Sequence, residues 1–425
     1  MTRALVITRA WPQHPEQATH GIYQRLSMFL EALCQTFDTV EVLVFAPPNH
    51  IHQTNTLRYE ALLQGKHGVG IQLNVHPRSP NPNPWSLKSR YLAGITSIDR
   101  QEDYINVGGP SQVKAVQAAL ARKPALVFAH RLHTFTPLWP LLPVLKVPLL
   151  FDMDDIEHRA LARNIVARPL WPSERLRLMH VPAVMWRERQ AIRLSSASFV
   201  CSQDDATALR KLASTDRVHV IPNTVNAPDH FHHNTSSVDT LGFIGSFAHT
   251  PNIDAVQWLL ADIWPQIRHA RPNARLRIGG AGSLNMFGHA HGKDGVEILD
   301  FVDDLGAYYQ SLNLVIAPLR FGAGTRVKII EAAGYAMPIV STTLGAEGLA
   351  FNNGTEILLA DKPDHFADQC VQLLENQDNA IEIGLTARRC FEQHYNRNAV
   401  VASINEHIRC ALAETPNKKQ NELPP

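Results

Sequence analysis

Cysteine is scarce in this 425-residue chain: Cys34, Cys201, Cys370, Cys390 and Cys410 are scattered, odd in number and form no C-x-x-C pair. That excludes a disulfide scaffold and a zinc ribbon, and it fits a reducing cytosol. Charge of one sign is also lacking. Forty basic residues face 39 acidic ones, a net charge of +1, and a nucleic-acid partner is not expected of a chain without a basic excess. No apolar run reaches the roughly 20 residues of a membrane helix; the most apolar stretch, 137–151, is interrupted by Lys146 and prolines. The first residues lead through a short apolar run into a polar loop, without the longer apolar core of a signal peptide, so a cytoplasmic location is expected. Absent too are a G-x-S-x-G elbow, a Walker loop and an H-E-x-x-H helix, which removes support for hydrolase, NTPase and zincin chemistry.

What is present is ordinary globular composition, 45% hydrophobic and 19% charged, in a chain too long for one core. Apolar runs at 4–8, 40–45, 125–129, 147–151, 197–201 and 218–221 read as strands. Between them lie helical spacings at 21–33 and 111–121 and a long arginine-rich helical region at 157–193. From 49 to 109 the pattern is weak. A second series of strands is expected at 241–244, 275–278, 296–299, 314–317 and 338–341. The alternation predicts an α/β protein of two facing Rossmann-like, doubly wound domains. Their expected bounds are 1–222 and 238–402, with a linker at 223–237, a helix at 403–415 packing back on the first domain, and a disordered polar tail at 416–425. Ligands of such sheets sit beyond the carboxyl ends of the strands, so the interdomain cleft is the expected site.

The segment 317–331, Ala-Pro-Leu-Arg-Phe-Gly-Ala-Gly-Thr-Arg-Val-Lys-Ile-Ile-Glu, joins a strand end, a glycine turn and a helix start. Gly322 and Gly324 allow close backbone approach, and the exposed amides at a helix N-terminus favour bound phosphate. With Thr325 opening the helix, Lys328 and Glu331 follow on the same face. Lys328 and Arg326 would then neutralise a diphosphate, and Glu331 would accept hydrogen bonds from ribose hydroxyls. A plain surface helix with a Lys328–Glu331 pair is the alternative.

The run Gly324-Thr-Arg-Val-Lys-Ile-Ile-Glu-Ala-Ala-Gly-Tyr-Ala-Met-Pro-Ile-Val-Ser-Thr-Thr-Leu-Gly-Ala-Glu-Gly348 resembles the donor-binding signature of the family 4 retaining glycosyltransferases, whose architecture is GT-B. Ile221-Pro-Asn223, Phe243-Ile-Gly-Ser246, Pro251-Asn-Ile-Asp254 and Ile278-Gly-Gly-Ala-Gly282 extend the likeness over most of the C-terminal half. The resemblance implies transfer of a sugar, with retention, from a UDP- or GDP-sugar to a saccharide or lipid-linked acceptor, in polysaccharide or glycolipid biosynthesis. No metal and no separate cofactor are implied. It also implies that Gly21 and Gly245 lie at the donor diphosphate with Gly322, Gly324 and Thr325, that His130 contacts the transferred sugar, and that Val302, in the loop after 296–299, meets the base. Two departures stand out: Ala323 occupies the place of the family's first glutamate, and Gly245 is followed by Ser246 and a neutral stretch rather than by Arg and Lys.

Other signals compete. Asp152-Met-Asp154 resembles the D-x-D metal motif of a different glycosyltransferase architecture, although acidic residues at strand ends also cap helices and pair with arginines. Asp152, Asp155 and His158 are candidates for the acceptor. His230, His232 and His233 lie in loop composition without a fourth ligand. The arginines of 159–193, interleaved with Leu, Met and Trp, describe either a solvated helix face or peripheral contact with an anionic membrane. A nucleotide-sugar epimerase of the same architecture and a non-catalytic nucleotide-sugar binder remain alternatives.

Overall fold

The structure, a computed structural model, describes residues 2–12, 21–79, 92, 94–167, 175–228, 231, 238–322 and 324–414. The chain divides into two units, Met1–Pro222 with Asn398–Pro425, and Asn223–Arg397. Most of the expected linker, the expected tail at 416–425 and Ala323 lie outside the described residues.

The first unit is built on seven strands: β1 (Arg3–Thr8), β2 (Thr39–Ala46), β3 (Ile71–Pro77), β4 (Leu126–His130), β5 (Leu149–Asp154), β6 (Ala197–Val200) and β7 (Val218–Val220). They pair in the order β3-β2-β1-β4-β5-β6-β7, every pairing parallel. A parallel sheet is covered on both faces, so its central strands are apolar throughout rather than alternating. In β1, Ala4 and Val6 join one core and Leu5 and Ile7 the other, all four fully buried.

Helix Gly21–Thr36 covers the first of these faces, and so does the chain's last helix, Arg397–Glu414, through Val400, Val401, Ile404 and Ile408. That helix begins before the expected residue 403. The helical region expected at 157–193 is interrupted: helix Glu157–Ala167 is followed by a 3-10 turn, Leu176–His180, and by helix Val181–Leu194, whose Pro182 sits in its first turn where a missing N–H is harmless. Helix Gln53–His67 and β3 fill the stretch where the sequence is silent. That helix buries only Tyr59 and Leu63, which is why it leaves no periodic signal.

The second unit has six strands, β8 (Thr240–Ile244), β9 (Arg275–Gly279), β10 (Val296–Ile298), β11 (Leu314–Ala317), β12 (Ile339–Ser341) and β13 (Leu358–Leu359), in the order β10-β9-β8-β11-β12-β13, again all parallel. Both sheets reverse their winding once, between β1 and β4 in the first and between β8 and β11 in the second. Among the described residues no helix is long and apolar enough to cross a membrane.

Ile404 is fully buried in the first unit's core. Ile404→Ala is expected to lower stability by about 2 to 5 kcal/mol, read as a shift in the urea midpoint of the first unit. An unchanged midpoint would mean that the last helix is not docked.

Candidate functional site

In the second unit the chain leaves β11 through Gly322 and Gly324, whose φ angles of +121° and +81° suit glycine. Helix Val327–Gly334 then begins, two residues later than expected at Thr325. The delay arises because the Thr325 carbonyl is used by the Val327 N–H in a tight turn, 3.0 Å. Lys328 therefore stands in the first helical turn, where backbone N–H groups still point outward. Glu331, three residues on, keeps the same face.

The turn and the start of β8's exit meet at one point. Lys328 Nζ donates to Asn252 Oδ1 at 2.8 Å and lies 3.9 Å from the centre of the Phe243 ring. A Cβ on Gly245 would fall 2.8 Å from both Lys328 Nζ and Asn252 Nδ2, so only glycine lets these side chains approach β8. Arg326 is buried and donates to the Gly324 carbonyl, bracing the turn. Val302 is half-buried at the end of β9, its methyl occupying the space that a Cβ on Gly279 would need. The Tyr309 hydroxyl donates to Glu331 Oε2 at 2.9 Å. The structure thus brings together Gly245, Arg326, Lys328 and Glu331, and adds Asn252 and Tyr309, neither of which carried a role in the sequence. Asn252 sits in the quoted 251–254 phrase; Tyr309 has no local signal at all.

Burial disfavours charge here. The Lys328 ammonium is pulled down to about 7 by burial and by neighbouring Arg326, with Glu331 opposing. Burial raises the Glu331 carboxyl, against the help of Tyr309 and Lys328. A ligand carrying negative charge would restore the protonated lysine, so the site is suited to an anion.

In the first unit His130 is the last residue of β4 and is buried beside the end of β1. Its Nδ1 lies 2.8 Å from Thr8 Oγ1, which itself accepts from the Ala10 N–H at 3.0 Å. The Thr8 hydroxyl, with one hydrogen and two lone pairs, holds Nδ1 as donor or acceptor according to the tautomer of the ring. His130 Nε2 has no hydrogen-bond partner among the described residues. Burial pulls His130 down to about 3, so the imidazole is neutral. Gly21 is the first described residue of helix Gly21–Thr36; residues 13–20 lie outside the described residues.

The acidic cluster differs from expectation. Asp152 lies inside β5, fully buried, and both of its oxygens accept from Arg25 Nε at 2.9 Å. Its carboxylate is thereby committed to the interior rather than offered to an acceptor. Asp154 faces Arg25 at 3.7 Å and Arg131 at 3.9 Å. Among the described residues no group of three His, Cys, Asp or Glu could hold a metal ion. His158 is bound to the buried Glu188, and Asp155 lies 3.7 Å from Arg131. Arg131, which had no role in the sequence, has φ +68° and ψ 157°, a region close to glycine-only, at the carboxyl end of β4. Tyr104 and His133 stack 4.4 Å apart beside Glu157, whose carboxyl is pushed up to about 7 by burial.

Two parallel α/β units, each with one switch point, correspond to the GT-B fold. Residues 238–376, within the second unit, match the model of the family Glycosyl transferases group 1. The chain is similar in fold to sucrose-phosphate synthase from Thermosynechococcus elongatus, with a TM-score of 0.69 at 13% identity over 97% of this chain and 100% of that one. It is similar to Anabaena HepE in complex with UDP-glucose, with a TM-score of 0.60 at 14% identity over 96% and 100%. In sequence it is 25% identical over 172 residues to an uncharacterized 44.6 kDa protein in the cps region of Klebsiella pneumoniae; the match spans 38% of this chain and 44% of that relative.

Because Lys328 has a lower pKa folded, about 7, than its ordinary 10.5, the unfolded chain binds more protons between those values. Stability of the ligand-free protein is therefore expected to rise with pH across that window. Lys328→Met should flatten this rise and raise stability most at the acidic end. Equal pH profiles for wild type and variant, measured by thermal unfolding, would contradict the lowered pKa.

Proposed function

We propose that this chain transfers a sugar from a UDP- or GDP-sugar to a saccharide or lipid-linked acceptor, with retention of configuration and without a metal ion, in polysaccharide or glycolipid biosynthesis in the cytoplasm. The observation that carries the reading is the meeting of Gly245, Asn252, Arg326 and Lys328 at the second sheet's switch point, with Glu331 one helical turn beyond. It is supported by the group 1 family match over that unit.

On this reading the leaving diphosphate gains negative charge as its bond to the anomeric carbon breaks, while the sugar becomes oxocarbenium-like. Amides of the Gly322–Gly324 turn and helix start, with Lys328 and Arg326, take up that charge; each preorganised donor of this kind is worth roughly 2 to 4 kcal/mol. Thr325 lies in the same turn. Glu331, held by Tyr309, takes the ribose hydroxyls, and Val302 lines the base. In the first unit, the neutral imidazole of His130 offers its unpartnered Nε2 to the transferred sugar, while Asp155 and His158 keep their place as acceptor candidates. The five cysteines are free thiols, in keeping with a reducing compartment.

Calorimetry with UDP, GDP and ADP, with and without EDTA, tests the donor site. One nucleotide is expected to bind, insensitive to EDTA, and Glu331→Ala to weaken it about tenfold or more, as for a hydrogen bond to a charged group. Binding near pH 8 should also take up protons as Lys328 is recharged. No binding of any nucleotide, or binding lost with EDTA, would sink the assignment.

A further inference from the structure

In the second unit the crossover that leaves β8 and the one that leaves β11 meet side by side. Pro251, Asn252 and Asp254, from the start of helix Thr250–Trp258, face Gly322, Lys328 and Arg320. A Cβ on Gly322 would lie 3.1 Å from Pro251 Cγ, so the glycine turn rests against the helix. Lys328 Nζ donates to Asn252 Oδ1 at 2.8 Å. A third contact is more exposed: Arg320 Nε donates to Asp254 Oδ2 at 3.0 Å, and its Nη2 to Oδ1 at 2.7 Å.

Arg320 is held on a second side as well. Asp254 and Trp258 stand one helical turn apart on the same face, and the Arg320 guanidinium lies 5.2 Å from the centre of the Trp258 ring. Trp258 is itself buried, its ring edge-on to Phe366 at 6.1 Å. The guanidinium is therefore fixed in direction although its side chain is 46% exposed. An exposed ion pair adds little to the stability of a fold. What this one fixes is the spacing of two crossovers whose paired residues are 66 positions apart.

We propose that Arg320 and Asp254 are positioning residues, a clasp that holds the glycine turn and helix Thr250–Trp258 at the spacing required by the terminal phosphate of a nucleoside diphosphate. The inference rests on the reading of the Gly322–Lys328 turn as the diphosphate site. In the ligand-free protein the contact of Lys328 with Asn252 already joins the two crossovers. A diphosphate draws the Lys328 ammonium to its own oxygens, and the crossovers lose that link. The Arg320–Asp254 pair is separate from it and keeps the turn amides and Lys328 aimed at one point. Preorganised donors act because they need no rearrangement around the charge, and a misplacement of about 1 Å can cost about a hundredfold. Direct contact of Arg320 with the phosphates is the competing reading, and the two differ in how substitutions combine.

The test is calorimetric binding of UDP, UMP, GDP and GMP to the full chain and to Asp254→Asn, Arg320→Gln and the double variant. For the base that binds the wild type, the ratio of diphosphate to monophosphate affinity reports the terminal phosphate. Each single substitution is expected to lower that ratio about fivefold, the upper end for an exposed ion pair, with monophosphate affinity and unfolding midpoint nearly unchanged. Asp254→Asn is the sharper of the two, because removing a negative charge beside the site would by electrostatics alone raise the ratio. The double variant is expected to be no worse than either single one, since both remove the same contact. A purely structural role would lower both affinities together and leave the ratio as it was, and additive losses would mean that Arg320 meets the phosphates itself. Either result, or a ratio raised by Asp254→Asn, overturns the clasp and leaves the nucleotide site standing. Wild type that binds none of the four nucleotides overturns the site, and the clasp with it.

Discussion

Every strand in each sheet runs in the same direction, and much of the chemistry follows from that. Parallel neighbours are joined by crossovers, and crossovers in one sheet keep one hand. The winding must therefore reverse where the chain returns past its first strand. At that place two connections leave in opposite directions, opening a crevice at the carboxyl edge. Thr8 and His130 stand at the crevice between β1 and β4, and Gly245 and Lys328 at the one between β8 and β11. Residues far apart in sequence meet there because the sheet order leaves no other strand between them.

The first unit adds a second constraint, a charge that is never exposed. Arg25 is fully buried on helix Gly21–Thr36 and holds Asp152 on β5 and the Ile221 carbonyl beyond β7. Removing one partner of such a pair costs about 3 to 5 kcal/mol, although an apolar replacement of both can be neutral. The pair gives the helix one position against the sheet, and it holds the neighbouring Asp154 among arginines. A D-x-D phrase read along the chain resembles a metal site. In three dimensions its first carboxylate is the counter-ion of an internal guanidinium.

The legibility of the sequence follows the same division. Strands such as β1, β2 and β11 stand out as apolar runs because both of their faces are covered. β3 and its preceding helix do not, since an edge strand and a helix burying two residues leave little periodicity. The turn from Gly322 to Lys328 is legible because its glycines, Arg326 and Lys328 all lie within one short segment of the chain. Asn252 and Tyr309 are not, since each arrives from a different crossover, and only the sheet order shows which ends converge. Arg131 is hidden for another reason: a strained backbone at a strand end has no residue type that announces it. The broken helix at 157–193 was concealed by arginine and leucine, which favour helix on either side of a 3-10 turn.

Arginine itself illustrates what periodicity can and cannot decide. Arg25 and Arg189 both lie on helices among apolar neighbours, and composition treats them alike. Helical phase separates them. Arg25 falls in the stripe with Leu26, Phe29 and Leu33, so it must enter the core and find a buried carboxylate. Arg189 falls with Met185 and Trp186, away from Val184, and its guanidinium lies 5.7 Å from the centre of the exposed Trp186 ring. An inward arginine demands one partner of fixed geometry and tolerates little change. The same side chain therefore holds one internal position in one helix and lies beside a surface ring in another, and the phase of a single helical turn decides between them.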